Sequence, residues 1–196
     1  MNKIVVFCGS SLGFNPVYKE AAIKLGDYFV ANNIALVYGG GKIGMMGVLA
    51  ETILNQGGTV IGVIPKLLEK EEVVNSNVTE LIITETMSDR KVIMSKLADG
   101  YISLPGGFGT LDELFEGLTL GQLHIEQKPN GLLNVHNYYD HTLKQLDVMV
   151  AEGYLKQSNR EMLLVASTVS ELMLKMDSYI APKRTHIINK VIKHDH

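Results

Sequence analysis

The chain has 196 residues, 46% of them apolar, and a formal net charge of −3; by the usual ~150 residues per domain this is material for one sizeable core. Its 18 Lys and Arg residues are scattered, which argues against a nucleic-acid or anionic-membrane binder. The single Cys8 excludes an intramolecular disulfide and a cysteine zinc cluster and fits a reducing compartment, and no apolar run approaches the ~20 residues that span a bilayer, so a cytoplasmic location is expected.

The chain enters a strand at once, over Ile4 to Cys8, with no charged leader before it. Gly9 to Gly13 then turn it toward a helix from about Pro16 to Ala31; Ser10 in this turn either caps the helix or meets a ligand. Ile34 to Tyr38 reads as a strand, Gly39 to Gly44 as a turn, and Met45 to about Gln56 as a helix. Gly39, Gly41 and Gly44 match the dinucleotide fingerprint formally, but that fingerprint belongs to a first strand and requires an acidic residue at the next strand's end, where Pro65-Lys66-Leu67-Leu68 stands. A Walker A loop is excluded because Met45 and Met46 occupy the lysine and serine/threonine places. A nucleoside monophosphate needs neither motif, which keeps Gly40, Gly41 and Met45 as candidate contacts.

After the strand Val60 to Ile64, the run Glu69 to Glu72 reads as a charged surface connection, and Val78 to Thr84 as another strand. The helix that follows, from about Met87 to Asp99, carries an oddity. At about 100° per residue Met87, Met94, Leu97 and Ala98 define its buried stripe, and Arg90 falls inside that stripe with Lys91 on its border. A cation near a helix start opposes the macrodipole. It is there to snorkel, to form a structural ion pair, or to meet an anionic ligand, and the last explains the position best.

The strand Gly100 to Leu104 is stopped by Pro105, and Gly106, Gly107 and Gly109 precede an amphipathic helix that opens at Thr110 and runs to about Leu123. Glycines let the backbone approach an anion, and the free amides of a helix start attract it. Leu111, Leu114, Phe115 and Leu118 form the apolar stripe, leaving Glu113, Glu116 and Thr119 along another ridge. Thr110 and Glu113 also fit a capping box, a spacing that recurs at Thr168 and Glu171 and nearly at Thr86 and Asp89, so spacing alone does not make Glu113 catalytic. Strands at Gly131 to Val135 and Leu163 to Ala166 and helices at Tyr138 to Glu152 and Thr168 to Tyr179 complete the chain, with a polar, basic tail over 182–196. The expected fold is a Rossmann-like α/β domain over 1–181, a mainly parallel sheet of about seven strands with helices on both faces.

The run Pro105-Gly106-Gly107-Phe108-Gly109-Thr110-Leu111-Asp112-Glu113 resembles the P-G-G-x-G-T-x-x-E signature of the LONELY GUY family, cytokinin-activating phosphoribohydrolases once misnamed lysine decarboxylases. Two more stretches are similar to family segments: Met87-Ser88-Asp89-Arg90-Lys91 to M-H-x-R-K, and Lys128-Pro129-Asn130-Gly131-Leu132-Leu133-Asn134 to K-P-x-G-L-L-N. The resemblance runs from about Ile4 to about Ser178. Ser88 stands where histidine is common and Asp112 where glutamate is common, and both departures bear on substrate preference.

The resemblance implies hydrolysis of a cytokinin riboside or adenosine 5'-monophosphate to free base and ribose 5-phosphate, with no cofactor and no metal. It makes Arg90 and Glu113 the catalytic pair and gathers Lys91, Gly107, Phe108, Gly109, Thr110, Leu111, Asp112 and Thr119 around phosphate and sugar, with Glu72 as a further carboxylate and Ser10 raised as a contact. Glu113 would orient water, stabilise the oxocarbenium-like ribosyl cation, or do both. A homodimer paired through helices near the cleft is also implied. The residues leave one alternative open, a non-catalytic nucleotide carrier or sensor, because fold does not decide function. The older decarboxylase label would require a pyridoxal-anchoring lysine, and no lysine is set in such a context.

Overall fold

In β1 (Lys3–Phe7) and the residue after it, Ile4, Val6 and Cys8 enter one apolar cluster while Val5 and Phe7 enter another. That two-residue alternation with both sides buried marks a strand covered on both faces. The computed structural model of the chain describes residues 1–69 and 74–182. β2 (Ala35–Tyr38), β3 (Val60–Pro65), β4 (Glu80–Thr84), β5 (Gly100–Ser103), β6 (Asn130–Leu133) and β7 (Leu163–Ala166) join β1 in one seven-stranded sheet of order β4-β3-β2-β1-β5-β6-β7. Every pairing is parallel, with Val5 opposite Val37 on one side and Tyr101 on the other. The Rossmann-like architecture expected from the alternating pattern is what forms.

Parallel strands need crossovers, and helices supply them. α1 (Pro16–Ala31), α2 (Gly44–Leu54) and α8 (Val169–Asp177) cover one face, where Leu25, Phe29, Leu49, Ile53 and Leu172 are fully buried. On the other face α4 (Met87–Leu97) contributes Met94, and α5 (Phe108–Gln122) and α6 (Asp140–Ala151) contribute Leu114 and Leu146. The short helices α3 (Lys66–Glu69) and α7 (Gln157–Arg160) and a 3-10 turn at Val135–Asn137 complete the list.

Several boundaries differ from the sequence expectation for physical reasons. α5 begins two residues early, at Phe108, because Gly107 serves as its N-cap. Thr110 and Glu113 are therefore inside the helix, not a capping box. The capping box forms instead at α4, where Thr86 Oγ1 accepts from the Asp89 amide and Asp89 accepts from the Thr86 amide. Met87 is 45% exposed, since it opens α4 at the rim of the sheet, and Phe115 at 36% leaves the expected stripe. α6 starts at Asp140, later than the expected Tyr138, because the 3-10 turn comes first. Of the tail 182–196, all but Pro182 lies outside the described residues, and so does Glu72. Among the described residues no helix is long and apolar enough to cross a membrane.

Candidate active site

The strand order reverses between β1 and β5, and in open parallel sheets ligands bind beyond the strand ends at such a point. There the turns after the two strands are tied together: the Gly9 amide donates to Pro105 O at 3.1 Å, and the Met45 amide from the β2–α2 turn donates to Gly9 O at 3.1 Å. Beside them opens a cleft of 260 Å³ whose walls include Gly9, Ser10, Gly39, Arg90, Lys91, Gly107, Thr110 and Glu113. The amino end of α5, a 15-residue helix, borders it, so unpaired first-turn amides face the space.

Arg90 and Glu113 lie at the bottom. Their side chains are only 11% and 12% exposed, and Arg90 Nη1 stands 3.6 Å from Glu113 Oε1, too far for a good hydrogen bond. Arg90 Nε donates to Val63 O at 3.1 Å, and its guanidinium rests where Gly39 has no side chain, since a Cβ there would lie 2.1 Å from Nη2. This is not snorkelling, because the charged head is held inside. Burial raises the Glu113 carboxyl from 4.5 to about 7, against the opposing pull of Arg90. A carboxyl in that range can change protonation near neutral pH, the condition expected of a group that handles protons or meets a developing cation.

Lys91 is held differently. Its Nζ lies 3.0 Å from Glu116 Oε2 and 3.2 Å from Asp112 Oδ2, and the bond to Glu116 is the main reason its pKa is raised. It lines the cleft while joining α4 to α5. Under the site, burial and then the charge of Glu113 push the Cys8 thiol far above its ordinary range, which makes it an inert neighbour. Met46, Met87, Met94 and the 93% exposed Phe108 add soft apolar wall. Among the described residues no group of three or more His, Cys, Asp or Glu is placed to hold a metal ion.

A family model described as "Possible lysine decarboxylase" matches residues 46–176. The cytokinin riboside 5'-monophosphate phosphoribohydrolase LOG1 of Arabidopsis thaliana is 45% identical over 188 residues, covering 96% of this chain and 88% of the relative. The rice enzyme of the same description, LOG, is 44% identical over 178 residues, covering 91% of this chain and 74% of that one. The chain belongs to the LONELY GUY family. Among solved structures, the molybdenum cofactor binding protein of Rippkaea orientalis superposes with a TM-score of 0.68 at 21% identity over 91% of this chain and 97% of that one. The molybdenum cofactor carrier protein of Chlamydomonas reinhardtii gives 0.65 at 20% identity over 90% and 96%. At such identities these two speak for the fold alone.

Of the residues that the LONELY GUY signature nominates, Gly107, Phe108, Gly109, Thr110, Asp112 and Glu113 line the cleft together with Ser10, Arg90 and Lys91. Leu111 packs instead into the apolar cluster around Leu114. The Thr119 hydroxyl donates to Phe115 O at 2.7 Å on the exposed side of α5, away from the cleft lining. Gly40 and Gly41 pair with a later segment of the same chain: Gly40 O accepts from the Asn75 amide at 2.9 Å, and Gly41 bridges to Val74. Met45 is buried and lines an adjoining recess of 320 Å³ with Ser10, Tyr18 and Tyr138. Sequence reasoning passed over Met46 and Met94 as cleft walls, and brought in Gly39 only as part of the glycine turn after β2, not as the space the Arg90 head fills. For Gly39 the signal was present, since a glycine ending a strand opposite an inward-turned arginine makes room for it.

Proposed function

We propose that the protein hydrolyses the N-glycosidic bond of a purine 5'-monophosphate, a cytokinin riboside or adenosine nucleotide, to free base and ribose 5-phosphate. The observation that carries this reading is the buried Glu113, held near neutral pKa and paired loosely with Arg90 beneath the amino end of α5. The helix start would take the phosphate, and Glu113 would lie under the sugar, where departure of the base builds positive charge. Arg90 would offer N–H donors to the ligand, and the methionines with Phe108 an apolar bed for the base. Glu72 would add a carboxylate, as the family pattern suggests. No cofactor takes part. The activity by which the relatives are named, at about 45% identity over nearly the whole chain, supports the same conclusion.

The test is to incubate the purified protein with adenosine monophosphate and isopentenyladenosine monophosphate and follow release of base and ribose 5-phosphate. Hydrolysis of at least one is expected, with the corresponding nucleosides poor substrates. Binding without turnover across a panel of monophosphates would favour a carrier. The protein is read as one cytoplasmic domain that works as a homodimer, because Met87, Val92, Phe115, Leu123 and Ile125 leave apolar surface on α4, on α5 and just past its end. A monomeric mass by light scattering at micromolar concentration would refute the pairing.

A further inference from the structure

The K-P-x-G-L-L-N stretch ends at Asn134, and the site described so far gives that residue no task. Its Oδ1 accepts from the Tyr139 amide at 2.8 Å while its Nδ2 donates to Asp140 Oδ1 at 2.8 Å. This pins a connection in which His136 (φ 52) and Asn137 (φ 60) both adopt left-handed backbone, a conformation uncommon outside glycine that Asn and His enter more readily than most. The bent connection delivers two tyrosines under the glycine turn after β5. Tyr138 Oη donates to Gly106 O at 2.7 Å, and Tyr139 Oη donates to Leu104 O at 2.7 Å. With the Gly9 amide on Pro105 O, three successive carbonyls of the turn each receive a donor from elsewhere in the fold.

The Gly106–Gly107 peptide is the vulnerable one, because a glycine on each side lets it rotate with little steric resistance. In a trans peptide the carbonyl and the next amide point in opposite directions. A hydroxyl holding Gly106 O on the Tyr138 side therefore turns the Gly107 N–H away from Tyr138. Gly107 borders both the cleft with Arg90 and Glu113 and the adjoining recess, whereas Gly106 and Tyr138 border the recess and not the cleft, so this peptide sits on the wall between the two. The Tyr138 ring is itself held edge-on by Tyr18 at 5.7 Å and Tyr139 at 4.8 Å.

We propose that Tyr138 is a positioning residue for phosphate recognition: its hydroxyl fixes the Gly106–Gly107 peptide so that the turn presents its amides to the 5'-phosphate. This rests on the monophosphate reading above and assigns the Asn134 turn its purpose. Tyr138→Phe keeps the ring packing and removes only the donor. Calorimetry with ribose 5-phosphate should show the variant binding roughly 3- to 10-fold more weakly than the wild type, the worth of one net hydrogen bond. KM for adenosine monophosphate should rise by the same factor while kcat stays within about twofold. Binding of adenosine, which lacks the phosphate, should be unchanged, and melting should shift by no more than about 2 °C. Equal ribose 5-phosphate affinity in both proteins, equal losses for adenosine and the phosphate, or no binding by the wild type at millimolar concentration would each overturn the proposal. Weakened phosphate binding in proteins that turn over no monophosphate would sink the hydrolase reading and leave the positioning role standing; hydrolysis with unchanged KM would do the reverse.

Discussion

Two glycine-rich turns lead from strand to helix at the same end of the sheet, and they use their glycines in opposite ways. In the turn after β2, a Cβ on Gly44 would lie 2.2 Å from the Ser10 carbonyl carbon, and Gly44 has a φ of 64°. In the turn after β5 and the first residues of α5, Cβ atoms on Gly107 and Gly109 would meet nothing within 4 Å. The first turn is closed against its own protein. The second is closed at Gly106, where a Cβ would lie 2.1 Å from Thr110 Oγ1 and 2.9 Å from the Gly9 nitrogen, but at Gly107 and Gly109 it borders open space beside a buried acid. A glycine records that something comes close or needs room, and only the surroundings say whether that something is another loop or a ligand.

The comparison is broken most severely on the open side. Glu113→Gln should lower turnover roughly 100-fold or more, the range for a positioned charge-stabilising or acid–base group, with the fold intact because no cap depends on Glu113. Its pH behaviour is specific. The folded carboxyl holds its proton up to about 7 and the unfolded one only to 4.5, so ionisation opposes folding as pH rises between those values. The glutamine variant escapes this: its melting advantage over the wild type should be small below pH 4.5 and reach at most about 3 kcal/mol above pH 7. If the ionised form works under the sugar, wild-type kcat/KM should still be rising across pH 7, beyond the phosphate's own ionisation near about 6. A profile flat from pH 6.5 to 8, a window chosen around the value of about 7, would remove Glu113 from the chemistry.

Arg90→Ala should abolish nearly all activity yet cost less than the roughly 3–5 kcal/mol of a broken buried ion pair. Arg90 is the main influence holding the Glu113 pKa down, so without it Glu113 would protonate rather than remain a stranded charge. A larger loss on chemical denaturation would make the pair structural. On the closed side, Gly44→Ala should destabilise by about 2 kcal/mol or more on chemical denaturation, from left-handed strain and a clash with the Ser10 backbone, and any activity lost beyond folding should trace to that displaced cleft wall. The smallest effect sharpens the contrast. Gly109→Ala lies in the first turn of α5 and should change stability by less than about 1 kcal/mol, in either direction, while raising the KM for a monophosphate. A Gly109→Ala protein as unstable as Gly44→Ala would erase the distinction between the turns.

The fold was legible because seven apolar runs alternate with helical stretches, and parallel sheets write themselves in that way. Arg90 was legible for a related reason, as a cation inside an apolar stripe. The start of α5 was harder, since Phe108 is exposed in the first turn and threonine is the usual capping residue, so the eye moves to Thr110. Gly40 and Gly41 look in sequence like Gly107 and Gly109; what separates them is Asn75 and Val74, residues some 35 positions away that the sequence does not place beside them. The hydroxyl of Tyr138 reaching a carbonyl 32 residues earlier leaves no periodic trace at all.

Because every strand runs the same way, the glycine-rich turns after β1, β2 and β5 gather at one end, and the turn between α2 and β3 lies at the other. Gly57 in that turn is exposed, with free space around it. A β-strand of five residues sets the two ends about 17 Å apart. A reporter domain or a surface tether spliced beside Gly57 would therefore hang from the back of the molecule, so the catalyst could be immobilised with its mouth facing the solution.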